Sequence, residues 1–386
     1  MTYHSQMPSS SPPPIRCTRC LYDATTPAIT FDAAGICNYC AVHDRMDREH
    51  PTGAEGRALL ERTAARIRGE GQGKPYDVIV GVSGGTDSSY LLWLAKDLGL
   101  RPLAVHFDNT WNSGIATRNI RLMLSALDIP LETYIVDHKE YDDMTRAFLR
   151  AGVRDVDVPT DIGLAAVLYR SAERHGIRAI FEGHSFRTEG IAPLGWSYID
   201  GKYVQSVAAR PLKTFPNLTM GKFLWWTAVK KIRKYRPLYN IDYVKSDAKH
   251  FLREQFGWSD YGGHHLENRL TAFFYTYLLP QRFAVDGRLL GWSALVRSGQ
   301  MTRAEGLERL SIPPQVDPSL LRLVQTRLEI SDQELDALMH LPKKTYRDFP
   351  TYKQTFERMR PLFYVLSKMD LVPKSFYIKY TSKTEI

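Results

Sequence analysis

The residues best suited to chemistry lie in two short stretches. The first holds Cys17, Cys20, Cys37 and Cys40, the only cysteines among 386 residues. They form two C-x2-C pairs. In a reducing compartment this spacing offers four thiolates to the corners of a structural zinc site, and Gly35 suits the tight turn before the second pair. An iron–sulfur cluster and chance spacing are the alternatives. The second stretch is "VIVGVSGGTDSSYLLWLA", residues 78–95. Its β-branched run stops at Gly81, small and hydroxyl residues follow, and an apolar helical pattern begins at once. A helix N-terminus presents free N–H groups, glycines let the backbone come close, and hydroxyls donate to phosphate oxygens. A plain strand–helix turn with one glycine and one cap is the simpler alternative, but it does not need this whole set. The loop is neither a Walker A loop nor a G-x-G-x-x-G fingerprint.

These residues need a scaffold. Apolar runs predict strands near 77–82, 102–107, 132–136 and 178–182, with helices near 87–98, 115–127, 140–151 and 161–175. Such alternation predicts an α/β fold with a doubly wound, mainly parallel sheet. Residues 1–14, with "SSSPPP", read as a disordered tail, 15–50 as a zinc ribbon, and 54–75 as a helix and flexible linker. Residues 76–210 form the α/β domain and 211–386 a mainly helical region. Within the latter, "GKFLWWTAVKKIRKYRPLY", 221–239, predicts an amphipathic helix with Trp225, Trp226 and Tyr235 inward. A nucleotide-sugar, partner or membrane surface is the other reading. "WSDYGGHHLEN", 258–268, reads as the polar floor of a pocket, as a second metal site, or as a capping turn before a helix at 266–279.

The formal charge of +9 suits an acidic partner such as nucleic acid, a nucleotide sugar or a membrane surface. No apolar run reaches membrane-span length and the Met1 end has no signal-peptide core, so the expected location is cytoplasmic.

"SGGTDSS" resembles the pyrophosphate loop of the PP-loop ATP pyrophosphatase superfamily, which includes asparagine, GMP and NAD synthetases and tRNA thiolation and lysidine enzymes. The resemblance implies a sheet of the adenine nucleotide alpha hydrolase-like type. It also implies cleavage of ATP to AMP and pyrophosphate with Mg2+, and transfer of AMP to a carbonyl or amide oxygen. ATP binding would fall to Val82, Ser83, Gly84, Gly85, Thr86, Asp87 and Ser88. His106 and Asp108 in "LAVHFDNTWNS" and Gly183 in "IFEGHSFRTEG" would assist. Asp87 and Glu189 would hold magnesium, and Glu189 or a histidine would act as base. A solvated loop carboxylate is the alternative for Glu189. Lys213 would reach the triphosphate, unless it is a surface lysine.

The wider set "CTRC…GICNYC", "FDNTWNS" with Asn119, "PLYNIDYVKSDA", "FGWSDYGGHHLENRLTAFFYTYLLPQRF" and "SGQMTRAEGLERL" resembles the N-acetyl sugar amidotransferase family. That family acts in lipopolysaccharide and O-antigen synthesis, and the matching stretches cover most of 15–312. The resemblance implies conversion of an acetamido sugar, carried by a nucleotide, into an acetamidino sugar. Ammonia would come from a separate glutaminase with a barrel channel subunit. Substrate contacts would fall to Asn109, Trp111, Asn112, Tyr261, Gly262, Gly263, His264, His265, Glu267 and Arg288. The His264–His265 pair departs from the family's usual Lys-His, and the Arg and His that usually neighbour Asp286 and Arg288 are replaced. The runner-up is a tRNA-thiolation enzyme, which the ribbon "CTRCLYDATTPAITFDAAGICNYC" also resembles. Sulfur transfer of that type uses further cysteines, and here all four are spent in the ribbon.

Overall fold

The computed structural model describes residues 14–193, 196–208, 210–263, 266–369, 371–372 and 374–382. Its centre is a five-stranded, all-parallel sheet in the order β3-β2-β1-β4-β5. The strands are β1 (Val78–Gly81), β2 (Pro102–Asp108), β3 (Leu131–Ile135), β4 (Ala179–Phe181) and β5 (Arg233–Tyr235). Six helices precede β4: α1 (Asn38–Glu49), α2 (Gly53–Glu70), α3 (Thr86–Asp97), α4 (Gly114–Leu127), α5 (His138–Ala151) and α6 (Val158–Arg174). The doubly wound parallel sheet expected from the sequence is therefore present.

Strand alternation divides the core. Val78, Val80 and Ala104 face one layer, with Leu91 and Leu92 of α3 and Met123 of α4. Ile79, Leu103, Val105 and Phe107 face the other, with Phe148 of α5 and Ile162 of α6. Burial of both faces explains why β1 and β2 read as unbroken apolar runs. The helix starts follow from local chemistry. Ser113 accepts from the Ala116 N–H to cap α4, and Asp137 accepts from the Glu140 N–H to cap α5.

The stretch 221–239 departs from the single amphipathic helix expected of it. Helix Met220–Leu224 runs into a π-helical turn, Trp225–Val229. The chain then breaks at Lys231, whose φ is 56°, and enters β5. Trp226 is buried, whereas Trp225 is exposed. Lys234 is drawn into the sheet by Glu182, 2.6 Å away, and that pairing makes a charged segment extend as a strand. The expected flexible linker is likewise tied down. Lys74 donates to the carbonyls of Glu70 and Gly176, and Arg101 to those of Lys74 and Gly71.

The cysteine module forms its own small core with Leu21, Tyr22 and Tyr39, and it packs on the helices Arg288–Arg297 and Arg303–Ser311. At Gly306 a Cβ would lie 2.7 Å from Leu21 Cδ1, so the close approach needs glycine. Among the described residues no helix is long and apolar enough to cross a membrane.

Candidate active site

The loop between β1 and α3 leaves the carboxyl end of a central strand, where open α/β sheets bind ligands. Gly84 adopts φ 80°, and a Cβ there would lie 2.3 Å from the Ala116 carbonyl oxygen. Its own carbonyl accepts from Asn119 Nδ2 and Trp258 Nε1, both at 3.2 Å, which fixes the peptide's orientation. Ser88 Oγ accepts from the Ser83 N–H and donates to the Gly85 carbonyl. The N-cap of α3 is Gly85, which has no side chain to cap it, and Thr86 Oγ1 is buried without a hydrogen-bond partner among the described residues. A helix N-terminus with glycine at its cap, a close backbone and an orphaned hydroxyl fit an anion with several oxygens.

Asp87 opens α3 and faces three groups. Lys245 Nζ lies 2.7 Å from its Oδ2, and Tyr243 Oη donates to Oδ1 at 2.6 Å. The Glu189 side chain lies within hydrogen-bonding reach. Burial by itself would raise the Asp87 pKa, but the Lys245 charge and the bonds from Lys245 and Tyr243 hold it below the usual carboxylate range. Lys245 stays charged for the converse reason: burial opposes its charge, and Asp87 and Glu189 outweigh that effect. Two carboxylates beside a phosphate-type loop fit Mg2+, which takes one or two protein carboxylates and completes its shell with phosphates and water.

Behind this pair Gly183, just past β4, packs on the start of α3, where a Cβ would lie in ordinary contact 3.4 Å from the Asp87 backbone. The neighbouring Glu182 sits between Lys234 and Arg236. Burial opposes its charge, but the two cations bring its pKa down to about 2. His184 places Nδ1 2.9 Å from Tyr239 Oη and Nε2 3.0 Å from the Gly190 carbonyl. The carbonyl can only accept, so Nε2 carries the proton and Nδ1 accepts from the tyrosine.

Over the loop lie residues 258–263 and 266–268. Tyr261 Oη accepts from the Thr86 N–H at 3.3 Å, and Ser83 Oγ donates to Glu267 Oε1 at 3.3 Å. Gly262 and Gly263 lie in the same segment; His264 and His265 lie outside the described residues. Asn268 caps the following helix, Arg269–Phe273, by accepting from the N–H groups of Leu270 and Thr271. This helix begins three residues later than the sequence suggests.

Other expected site residues divide. His106 Nδ1 donates to the Val82 carbonyl at 2.7 Å, and its Nε2 accepts from Asn112, which also donates to Asp108. Asn109 and Trp111, expected at the substrate, are each 1% exposed and serve the framework. Asn109 accepts from Asn268, while Trp111 donates to Asp142 under the Arg327 guanidinium. Arg288 pairs with Asp286, lies over Trp292 and belongs with the cysteine module rather than the loop. Lys213 sits beside β3, two strands from β1, with its N–H on Glu140 at the start of α5. The structure brings Lys245 to the loop instead. Lys245 and Tyr243 lie in "PLYNIDYVKSDA", but nothing in their spacing signalled a meeting with Asp87.

The four cysteine sulfurs lie within 4.8 Å of one another, with pairs at 3.8, 3.6 and 3.6 Å. A zinc–sulfur bond of about 2.3 Å gives tetrahedral edges of about 3.8 Å, so the donors fit zinc. A disulfide would need about 2 Å. Buried Arg297 donates to Cys20 Sγ at 3.1 Å, and Arg303 donates to the Cys17 and Cys20 carbonyls. This positive charge offsets the negative charge of a tetrathiolate.

A family model described as "LPS biosynthesis protein WbpG-like, C-terminal domain" matches residues 267–362. The matched segment includes "ENRLTAFFYTYLLPQRF" and "SGQMTRAEGLERL", in agreement with the resemblance read from the sequence. No curated protein sequence matches the chain. Solved structures that are similar in part include the following three. The NH3-dependent NAD synthetase from Campylobacter jejuni subsp. jejuni, in complex with the nitrate ion, is 14% identical over 75% of this chain and 98% of its own, with a TM-score of 0.31. NMN synthetase from Francisella tularensis is 12% identical over 74% and 97%, with a TM-score of 0.30. A predicted subunit of tRNA methyltransferase from Methanocaldococcus jannaschii is 16% identical over 46% and 75%, with a TM-score of 0.28. At these scores the likenesses bear on neither mechanism nor substrate.

Proposed function

We propose that this chain, which carries a WbpG-like C-terminal domain at residues 267–362, is an ATP-dependent amidotransferase acting on an N-acetyl sugar of surface-glycan synthesis. The observation that carries this reading is the meeting of Asp87, Glu189 and Lys245 at a phosphate-type loop. The amide oxygen of the acetamido group attacks the α-phosphorus of ATP, and the bond to the β-phosphate oxygen breaks. Pyrophosphate leaves and an O-adenylyl imidate forms. Ammonia then attacks the imidate carbon, AMP departs with the former amide oxygen, and two protons pass to the phosphates and solvent.

The loop N–H groups, Thr86 and Lys245 would stabilise the charge that develops on the departing pyrophosphate. Magnesium, held by Asp87 and Glu189, would neutralise phosphate charge when bound. Zinc on the four cysteines would act as a structural brace. The test supplies ATP, Mg2+, ammonium and a panel of nucleotide-linked N-acetyl sugars. AMP, pyrophosphate and a product in which NH replaces O by mass are expected. ADP and phosphate as products would overturn the reading.

A further inference from the structure

Six of the eleven large apolar side chains exposed among the described residues lie in two short segments. Trp225 and Val229 are in one, and Leu362, Tyr364, Val365 and Met369 in the other. Exposed apolar residues scattered singly are ordinary, but clusters of them mark contact surfaces. Along helix Arg360–Lys368 and the residue after it, Leu362, Val365 and Met369 follow at helical spacing and form one outward stripe. Phe363 and Leu366 are buried on the inner side. Rings fix that inner side. Phe363 and Phe376 have centroids 5.3 Å apart, and Phe376 in turn stands 5.2 Å from Phe223 in helix Met220–Leu224. The latter helix runs straight into the π-helical turn that carries Trp225 and Val229, so the two exposed segments belong to one packed layer.

The same segments hold much of the positive charge. Residues 220–231 and 351–386 contain ten Lys or Arg and three Asp or Glu, a net +7 out of the chain's +9. Lys222, Lys230, Lys231, Arg358, Arg360 and Lys368 are exposed. Each segment also sets a lysine over an exposed ring. Lys230 Nζ lies 5.2 Å from the centre of the Trp225 ring, and Lys368 Nζ 5.7 Å from that of Tyr364. The nearby carboxylates are engaged. Glu357 pairs with Lys353 at 2.6 Å, while Glu173 accepts from the Trp225 and Trp226 indoles and lies 3.6 Å from Lys230.

We propose that this layer docks on the surface of an anionic lipid bilayer. Its apolar side chains enter the boundary between headgroups and acyl chains, and the surrounding cations meet the lipid phosphates. Trp225 and Tyr364 each combine an apolar body with a polar tip, which suits that depth. A protein partner is the poorer fit, because the cores of protein interfaces are depleted in lysine, whereas here lysines stand over the exposed rings. The contact is peripheral, and it stands independently of the amidotransferase reading.

The test sediments the full chain with vesicles of phosphatidylcholine alone and with vesicles of equimolar phosphatidylcholine and phosphatidylglycerol. Binding to the anionic vesicles should be at least tenfold tighter and should weaken as salt rises. Lys222→Gln combined with Lys368→Gln, one cation from each segment, should weaken it at least tenfold. Leu362→Ser combined with Val365→Ser, both at exposed positions, should do the same while circular dichroism and melting temperature stay as in the wild type. Absence of binding to the anionic vesicles, equal binding to both kinds, or wild-type binding by either double variant would overturn the proposal. If vesicles are not bound and the wild type instead forms a dimer that Leu362→Ser with Val365→Ser abolishes, the face belongs to a second copy of this chain and the proposal falls.

Discussion

Lys245 Nζ stands 2.7 Å from Asp87 Oδ2 at the head of α3, although the two are 158 positions apart in the chain. The pair joins the phosphate loop to the helical region, and it keeps a buried carboxylate ionised where a cation and phosphates must gather. Removing either partner leaves the other charge buried and uncompensated.

Lys245→Gln should lower AMP formation by about 10²–10³-fold, the usual cost of losing one preorganised charge at a developing anion. It should also destabilise the fold by about 3 kcal/mol. Asp87→Asn should reduce AMP formation at least as far and weaken the response to added Mg2+. Initial rates across a Mg2+ titration separate the two. A Lys245→Gln enzyme with wild-type rates would remove this lysine from the site.

The two loop glycines should differ. Gly84→Ala demands a positive φ and places its Cβ 2.3 Å from backbone, which has little freedom to move. Gly85→Ala meets only side chains, Glu267 Oε1 at 3.0 Å and Tyr261 Oη and Ser83 Oγ at 3.1 Å. Gly84→Ala should cost about 2–4 kcal/mol and abolish ATP binding. Gly85→Ala should fold with a smaller loss and show weaker ATP binding. Chemical denaturation and ATP titration of both proteins check the order.

Metal analysis should find about one zinc per chain. Because Arg297 bonds Cys20 and the module packs on the helix that carries Leu290, zinc removal should reach beyond the ribbon. α1 adds a second link: Arg187, two residues before Glu189, donates to Asp47 and to the His50 carbonyl. Chelation or Cys37→Ser should therefore lower the melting temperature and also raise the Mg2+ concentration needed for half-maximal activity. Iron in place of zinc, or full stability without metal, would contradict this assignment.

His184 supplies a pH test. Burial first, then the Arg236 charge, lowers its pKa from 6.5 to about 4. A depressed histidine pKa means that the folded state favours the neutral ring. Its stabilising contribution is therefore present above about pH 6.5 and is lost as pH falls toward 4. The loss should be on the order of 3 kcal/mol. Protonation would also make Nδ1 a donor and disturb the bond from Tyr239 beside the Glu189 loop. Denaturation midpoints measured between pH 4 and 8 should show this slope, and His184→Gln should flatten it.

Sequence made the sheet legible where both faces of a strand are buried. Val78-Ile79-Val80 and the run 102–107 carry their burial in their composition. β5 was hidden because the run holding Arg233, Lys234 and Tyr235 read as an amphipathic helix with its Lys and Arg outside; the partner Glu182 explains the place of Lys234 in a sheet. The phosphate loop was legible because backbone chemistry demands glycine and hydroxyl residues at adjacent positions. Lys245 and Tyr243 were not, since tertiary folding rather than local spacing brings them to Asp87. Trp111 and Asn109 show the opposite error. The family resemblance implied ligand contact, but packing under Arg327 and bonding to Asn268 tie them into the framework.

The ammonia source is the last expectation. Glutamine hydrolysis within this chain by a thiol nucleophile needs a cysteine outside the ribbon. All four cysteines converge within 4.8 Å of one another as a metal set, so none is left for that role. Ammonia at neutral pH is mostly ammonium, which has no lone pair to attack an imidate, so delivery must protect the neutral form. The isolated protein should therefore form product with high ammonium at alkaline pH and fail with glutamine. A glutaminase partner with a channel subunit should restore glutamine use near pH 7. Its docking face should lie close to Asp87 and Glu189, and the helical region around 258–312 is the wall we assign to it. Product formation by the purified chain with glutamine alone, at a rate matching ammonium, would sink the partner hypothesis and place a glutaminase of another chemistry within this sequence.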